Sequence, residues 1–375
     1  MRLSDFTQGR DNNFNLIRIA AAYAVLITHS FALAIGTGDA EPFRDTLGMT
    51  MGSIAVDIFF LTSGFLVTAS LLTRQSTIEF VWARVLRIFP ALFVMLLLSV
   101  LGLGLFFTTV SWPAYFADPK IYTYFLKNLT LFSGVAYELP GVFEGNPYKN
   151  AVNGSLWTMP HELRMYALLA FIWVSLRVTP RFRTNAFKIT VVSSALLAGL
   201  FVILNHLGIT KNGDQFLRLF FMFFSGAAFF ILKDRIALSR TIFYISLVTL
   251  LLAMFNKHIF FLVYVATLAY ILFFIAYIPS GFIRKYNKLG DYSYGVYIYA
   301  FPVQQSTAAL LPGISVLAMG ILSSVITLLF AVLSWHFLEK HALKLKGHYV
   351  NHTHKLLSFR LTKRSSGTPQ KRGAP

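Results

Sequence analysis

An arginine and a histidine, Arg18 and His29, stand eleven positions apart inside one apolar stretch, Asn15–Gly36. In a helix both fall on one face, roughly 16 Å apart along the axis. Ionisable residues inside an apolar span are costly, and they mark functional sites. A neutral imidazole can take the proton of a hydroxyl. A guanidinium suits a phosphate, although an arginine one turn inside a helix end also snorkels to the lipid headgroups. A histidine this far in cannot snorkel. Its structural alternative is a bond to a neighbouring helix.

Further groups join this pair. Asp57 opens the second apolar stretch, where it can orient His29 or complement a positive helix terminus. Glu162 ends the run Asn153-Gly154-Ser155-Leu156-Trp157-Thr158-Met159-Pro160-His161-Glu162, with Arg164 two residues on. Pro160 loosens the helix start there, and irregular backbone at membrane depth needs a cavity or protein cover. His29, Glu162 and Asp57 are the catalytic candidates. Arg84 and Arg87, three apart, share one helical face. They suit a phosphorylated ligand, or serve as ordinary positive charge beside a span. Ser155, Trp157, His161 and the deeper Tyr299 are expected to support that chemistry. His258, His336 and His341 have no metal-ligand spacing, and there is no phosphate-loop motif, so no metal is expected.

The elements that carry these groups follow from composition. Apolar residues make up 56% of the 375 positions and charged residues only 13%, far from a soluble domain. The expected fold is all-α, a polytopic transmembrane bundle. About ten spans are read, near 14–36, 52–73, 89–109, 155–176, 188–206, 216–232, 241–256, 258–279, 291–311 and 315–338. The stretches lack two-residue alternation, which argues against a barrel. The polar first fourteen residues argue against a cleavable signal peptide. With no cysteine, there is neither a disulfide nor a thiol nucleophile.

A net charge of +18 could suit nucleic acid, but its distribution does not. Alternate loops carry the lysines and arginines: Arg74 to Arg87, Arg177 to Lys188, Lys233 to Arg240, Arg284 to Lys288, and nine more from Lys340 onward. That alternation is the positive-inside bias and puts both termini in the cytoplasm, with no nucleic-acid partner. The opposite segment 110–154 is long enough to be functional, on the surface or folded back as a lid. The chain divides into a membrane domain, 1–345, and a basic tail, 346–375, expected to be mobile and near anionic lipid.

Five motifs in order along nearly the whole chain resemble the acyltransferase-3 family of membrane acyltransferases. They are Arg18, ten residues, then His29; Phe59-Phe60-Leu61-Thr62-Ser63-Gly64-Phe65; Arg84-x-x-Arg87-x-x-Pro90; Ser155-Leu156-Trp157 through Glu162; and Tyr292-Ser293-Tyr294-Gly295-Val296-Tyr297. His161 and the missing proline near His341 depart from the pattern. Some relatives carry an extracytoplasmic esterase-like domain, which is not expected here.

The resemblance implies an O-acetyltransferase of the bacterial cytoplasmic membrane. Its donor would be acetyl-coenzyme A, with the phosphates on Arg18, Arg84 and Arg87. Its acceptor would be a hydroxyl of a cell-surface or lipid-linked glycan, such as O-antigen or exopolysaccharide. The pantetheine arm is comparable in length to the Arg18–His29 separation. The alternative from another class is a proton-coupled exporter of a glycan or lipid. Ten helices with buried His, Glu and Arg suit an exporter too, but no repeat relates the two halves.

Overall fold

The structure is a computed structural model and describes residues 1–9, 11–176, 183–210 and 215–365, so Arg177, Arg181, Lys211 and the last ten residues of the tail lie outside it. Among the described residues it is all-helical, with no strand beyond two isolated bridges. In chain order the main helices are α1 Phe14–Ile35, α2 Met51–Arg74, α3 Thr77–Phe107, α4 Pro119–Thr130, α5 Met159–Ser175 and α6 Arg183–His206. There follow α7 Gln215–Ile231, α8 Arg240–Ala253, α9 Lys257–Tyr277, α10 Ser293–Leu310, α11 Val316–Ser334 and α12 Lys346–Ser365.

Every apolar stretch expected to span is helical. Six helical segments are long and apolar enough to cross a membrane: α1, α2, α3, α6, α9 and the run that begins with α11. α7 and α8 are apolar but shorter. α5 and α10 are diluted by polar groups, His161, Glu162 and Arg164 in one, Gln304 and Gln305 in the other. Large apolar side chains such as Leu196, Leu317 and Phe337 point outward, as a hydrocarbon surround requires.

Local sequence explains the ends and bends. Thr50 and Ser53 form a capping box at the start of α2, Ser76 caps α3, and Asn256 caps α9. α3 widens into a π turn at Leu98–Leu103, where Tyr115 Oη donates to the Val100 carbonyl at 2.9 Å. Pro302 in α10 has no N–H for the Ile298 carbonyl four residues back, and Asn153 Nδ2 donates to that oxygen instead, at 2.9 Å. One hydrogen bond thus repairs a helix and fastens the segment before α5 to it.

α2 and α7 cross with their backbones in contact. A Cβ on Gly64 would lie 1.9 Å from the Phe223 carbonyl oxygen, and one on Gly226 would lie 2.0 Å from that of Leu61. Small residues allow such an approach, the usual device where helices meet in lipid.

The N-terminal segment, the 232–240 and 278–292 connections, the start of α3 and residues 339–353 gather at one end of the bundle. Leu3 N–H bonds Ile236 O at 2.9 Å, Asn13 N–H bonds Ala276 O at 2.8 Å, and Arg284 pairs with Asp11. The tail segment expected to be mobile is helical from Lys346 and docks here. Tyr349 stacks on Trp82, and Trp82 Nε1 donates to Thr353 at 2.9 Å. At the other end, segment 110–153 folds back over the bundle. Asn146 donates to the Gln305 side chain at 2.6 Å, and Gln305 Nε2 donates to the Tyr148 and Ala151 carbonyls at 2.8 and 2.7 Å.

Candidate functional site

Two cavities meet inside this frame. The larger, about 670 Å³, is lined by His29 and Thr28 from α1, Ser53 and Val56 from α2, Arg218 from α7, Trp157, Tyr297, and Tyr137 and Tyr148 of the folded-back segment. The smaller, about 30 Å³, is lined by Arg18, Phe59, Phe60, Glu162 and Tyr294 among others. Val56 and Tyr297 stand on both, so they form the partition. Tyr297 is held there by its hydroxyl, 2.5 Å from Thr158 Oγ1 and donating to the Ser155 carbonyl at 2.7 Å. The expected pairing of Arg18 and His29 along α1 thus becomes two adjoining chambers, one for each residue.

His29 is oriented by packing. Its ring sits edge-on to Phe301, centroids 5.3 Å apart. Gln304, one turn further along α10, donates to Leu26 O and Ser30 Oγ, both at 2.8 Å, and fixes α1 on either side of His29. The buried Nδ1 of His29 has no hydrogen-bond partner. Nε2 is the nitrogen left open to the cavity.

Asp57 does not serve His29, contrary to expectation. It is fully buried, accepts from Tyr264 Oη at 2.8 Å and lies 3.3 Å from Arg218 Nε. The reason is helical phase: Asp57 is about 100° round α2 from Val56, the residue that faces the chambers, and it points at α7 and α9 instead.

Glu162 lies on the smaller cavity with Arg18. It accepts from Ser63 Oγ at 3.1 Å and from Tyr166 Oη. Arg84 packs its guanidinium against Tyr166 and Phe80, 5.7 and 5.8 Å from the ring centroids. Arg18 and Arg87 share one carboxylate oxygen, Asp291 Oδ2, at 2.9 and 2.6 Å, and Arg87 also reaches Glu339 at 3.2 Å. These arginines are brought together as the sequence suggested, but around acidic partners that it did not single out. Three guanidinium groups, of Arg18, Arg84 and Arg87, face three carboxylates, of Glu162, Asp291 and Glu339, so the cluster is near charge balance.

The acceptor-side residues divide. Trp157 lines the larger cavity, and His161 packs between Trp157 and Phe216. Ser155 contributes its backbone carbonyl to Tyr297. Tyr299 is a correction: it stacks on Phe330 and lines a separate, apolar cavity between α3, α10 and α11. Two positions along α10 from Tyr297 is a rotation of about 200°, which carries it to the far face. Among the described residues no cluster of His, Asp and Glu could hold a metal ion.

Sequence reasoning passed over Arg218, Asp291 and Phe301. Arg218 had a signal, an ionisable residue near the start of an apolar helix. Phe301 had none, being one of 38 phenylalanines.

A family model described as an acyltransferase domain, that of acyltransferase-3, matches residues 11–336. The chain is 30% identical over 355 residues to a protein named O-acetyl transferase from Shigella phage Sf6, covering 89% of this chain and 96% of that one. It is 31% identical over 221 residues to nodulation protein 10 of Rhizobium leguminosarum bv. viciae, covering 57% of this chain and 56% of the relative. No solved structure matches.

Proposed function

This chain belongs to the acyltransferase-3 family, and on that premise we propose that it moves an acetyl group from cytoplasmic acetyl-coenzyme A to a hydroxyl of a cell-surface or lipid-linked glycan. The observation that carries this reading is the partitioned pair of chambers, with His29 on one side and the Arg18–Glu162 cluster on the other. We read ten spans in a bacterial inner membrane, with the Arg18–Asp291 end cytoplasmic, because the basic loops lie at that end.

Donor phosphates meet Arg84, Arg87 and Arg18, competing with Asp291 for the guanidinium groups. The pantetheine arm then runs towards Tyr297 and brings the thioester to His29. The larger cavity has the chemistry of a sugar site, with the aromatic side chains Tyr137, Tyr148 and Trp157 among hydroxyl and amide groups. His29 Nε2 takes the acceptor proton. The acceptor oxygen attacks the thioester carbonyl, the C–S bond breaks, and the imidazolium returns the proton to the departing thiolate. General-base help of this kind contributes about 10²–10⁴ in rate.

The test is thiol release from acetyl-coenzyme A by purified protein with glycan, alongside mass spectrometry of surface glycans. Wild type releases coenzyme A and acetylates, whereas His29→Ala, purified in equal yield, does neither. Equal turnover by that variant overturns the assignment of His29. Accumulation of glycan in vesicles without thiol release identifies the exporter instead.

A further inference from the structure

The acidic, basic and imidazole side chains of the larger cavity, Glu41, Arg44, Arg218 and His29, are not equivalent. Arg44 is engaged on two sides: Nε donates to the Gly38 carbonyl at 2.8 Å and Nη2 pairs with Glu41 at 2.7 Å. Arg218 is held from behind. Its Nε lies 3.3 Å from Asp57 Oδ1, and Asp57 is in turn fixed by Tyr264. Asp57 is fully buried, while Arg218 is 20% exposed. Neither terminal nitrogen of the guanidinium, Nη1 or Nη2, has a partner among the described residues. A buried carboxylate thus locates a guanidinium whose two terminal amino groups are uncommitted among the described residues, on the wall shared by the cavity that contains His29 and a second one of about 220 Å³.

That is the donor pattern for a planar or tetrahedral oxyanion, which takes two parallel N–H bonds from one arginine. A neutral sugar hydroxyl uses one donor at a time and leaves the rest of the fork idle. We propose that Arg218 anchors an anionic group of the acceptor, a sugar carboxylate or a phosphate, and so orients the acceptor hydroxyl towards His29. The proposal rests on reading this cavity as the acceptor site. Arg218 is a positioning residue here, acting on the part of the acceptor that does not react.

The test is an equilibrium measurement without any donor, so it stands apart from acetyl transfer. Tryptophan fluorescence of the purified protein, with Trp157→Phe as the blank for the cavity signal, is titrated with glucose, glucuronate and glucose 1-phosphate. The expected result is at least about tenfold tighter binding of one or both anionic sugars than of glucose, which is about 1.4 kcal/mol. Glucuronate alone identifies an acidic sugar, glucose 1-phosphate alone a phosphate-linked one, and both together a general oxyanion site. Arg218→Gln abolishes the preference, and Arg218→Lys, lacking the fork, keeps only part of it.

Because Arg218→Gln strands Asp57, the double variant Asp57→Asn/Arg218→Gln is measured too, and it loses the preference equally. Equal binding of all three sugars to wild type, or a preference that survives in either glutamine variant, overturns the proposal. Thiol release with a neutral acceptor alongside either of those results leaves acetyl transfer standing and removes only the anchor.

Discussion

Phe301 lies edge-on to His29, its ring plane at 78° to the imidazole, and among the described residues the imidazole Nδ1 has no hydrogen-bond partner, carboxylate or other. The aim of the imidazole therefore depends on shape. Phe301 itself rests on Gly154, where an added Cβ would come 2.6 Å from its ring. Gly154→Ala should push Phe301 into His29 and tilt the imidazole. A misplacement of that size costs about a hundredfold in kcat. The expected outcome is a fall in kcat with little change in thermal midpoint, measured on purified protein. Unchanged kcat would show that the ring contact does not aim His29.

Asp291 binds two arginines, and each arginine has a different reserve. Arg87 keeps Glu339 when Asp291 is lost, whereas Arg18 has no second ion pair within 4 Å among the described residues. Removing one partner of a buried pair costs about 3–5 kcal/mol. Asp291→Asn should therefore lower the thermal midpoint more than Arg18→Gln, since the latter leaves the Arg87–Asp291 contact intact. Thermal inactivation of the two variants side by side checks the order.

Glu162 should matter more than its hydrogen-bond partners. Glu162→Gln keeps the shape but removes the charge from the chamber that holds Arg18. A loss on the order of a hundredfold in thiol release is expected. Ser63→Ala and Tyr166→Phe each delete one hydrogen bond to that carboxylate and should cost well under that. Steady-state rates of the three variants rank them.

The crossing of α2 and α7 should tolerate no side chain. Gly64→Leu and Gly226→Leu each drive a branched side chain into a backbone carbonyl. Neither variant should yield monodisperse protein. Gly102→Ala, where a Cβ meets nothing within 4 Å, is the control and should purify like wild type.

What the sequence revealed follows from what each kind of residue advertises. Apolar runs advertised helices, and each is a helix. His29 and Glu162 advertised themselves by their cost in lipid, and each lines one of the two chambers. The small pair Ser63-Gly64 stands in the second apolar stretch, and a close crossing of helices is found at Gly64. Asp57 was misassigned because a residue's distance along a helix is legible while its partner across the bundle is not. Arg218 lies 161 positions beyond Asp57, and nothing in either segment names the other. Asp291 was passed over because its value lies in two arginines far upstream. The aromatic seat of His29 was illegible for another reason. Phenylalanine is so common in this chain that position, and not residue type, carries the information.

Tyr297 also answers a problem of permeability. A protein with an opening towards each face of a membrane is a leak unless something closes the passage. Tyr297, tied to Thr158 and to the Ser155 carbonyl, stands with Val56 where the two chambers would otherwise join. The barrier is one aromatic ring thick. On the proposed reaction, a thioester would have only to reach that ring for its acetyl group to be handed on, while protons and ions would remain on the side where they began.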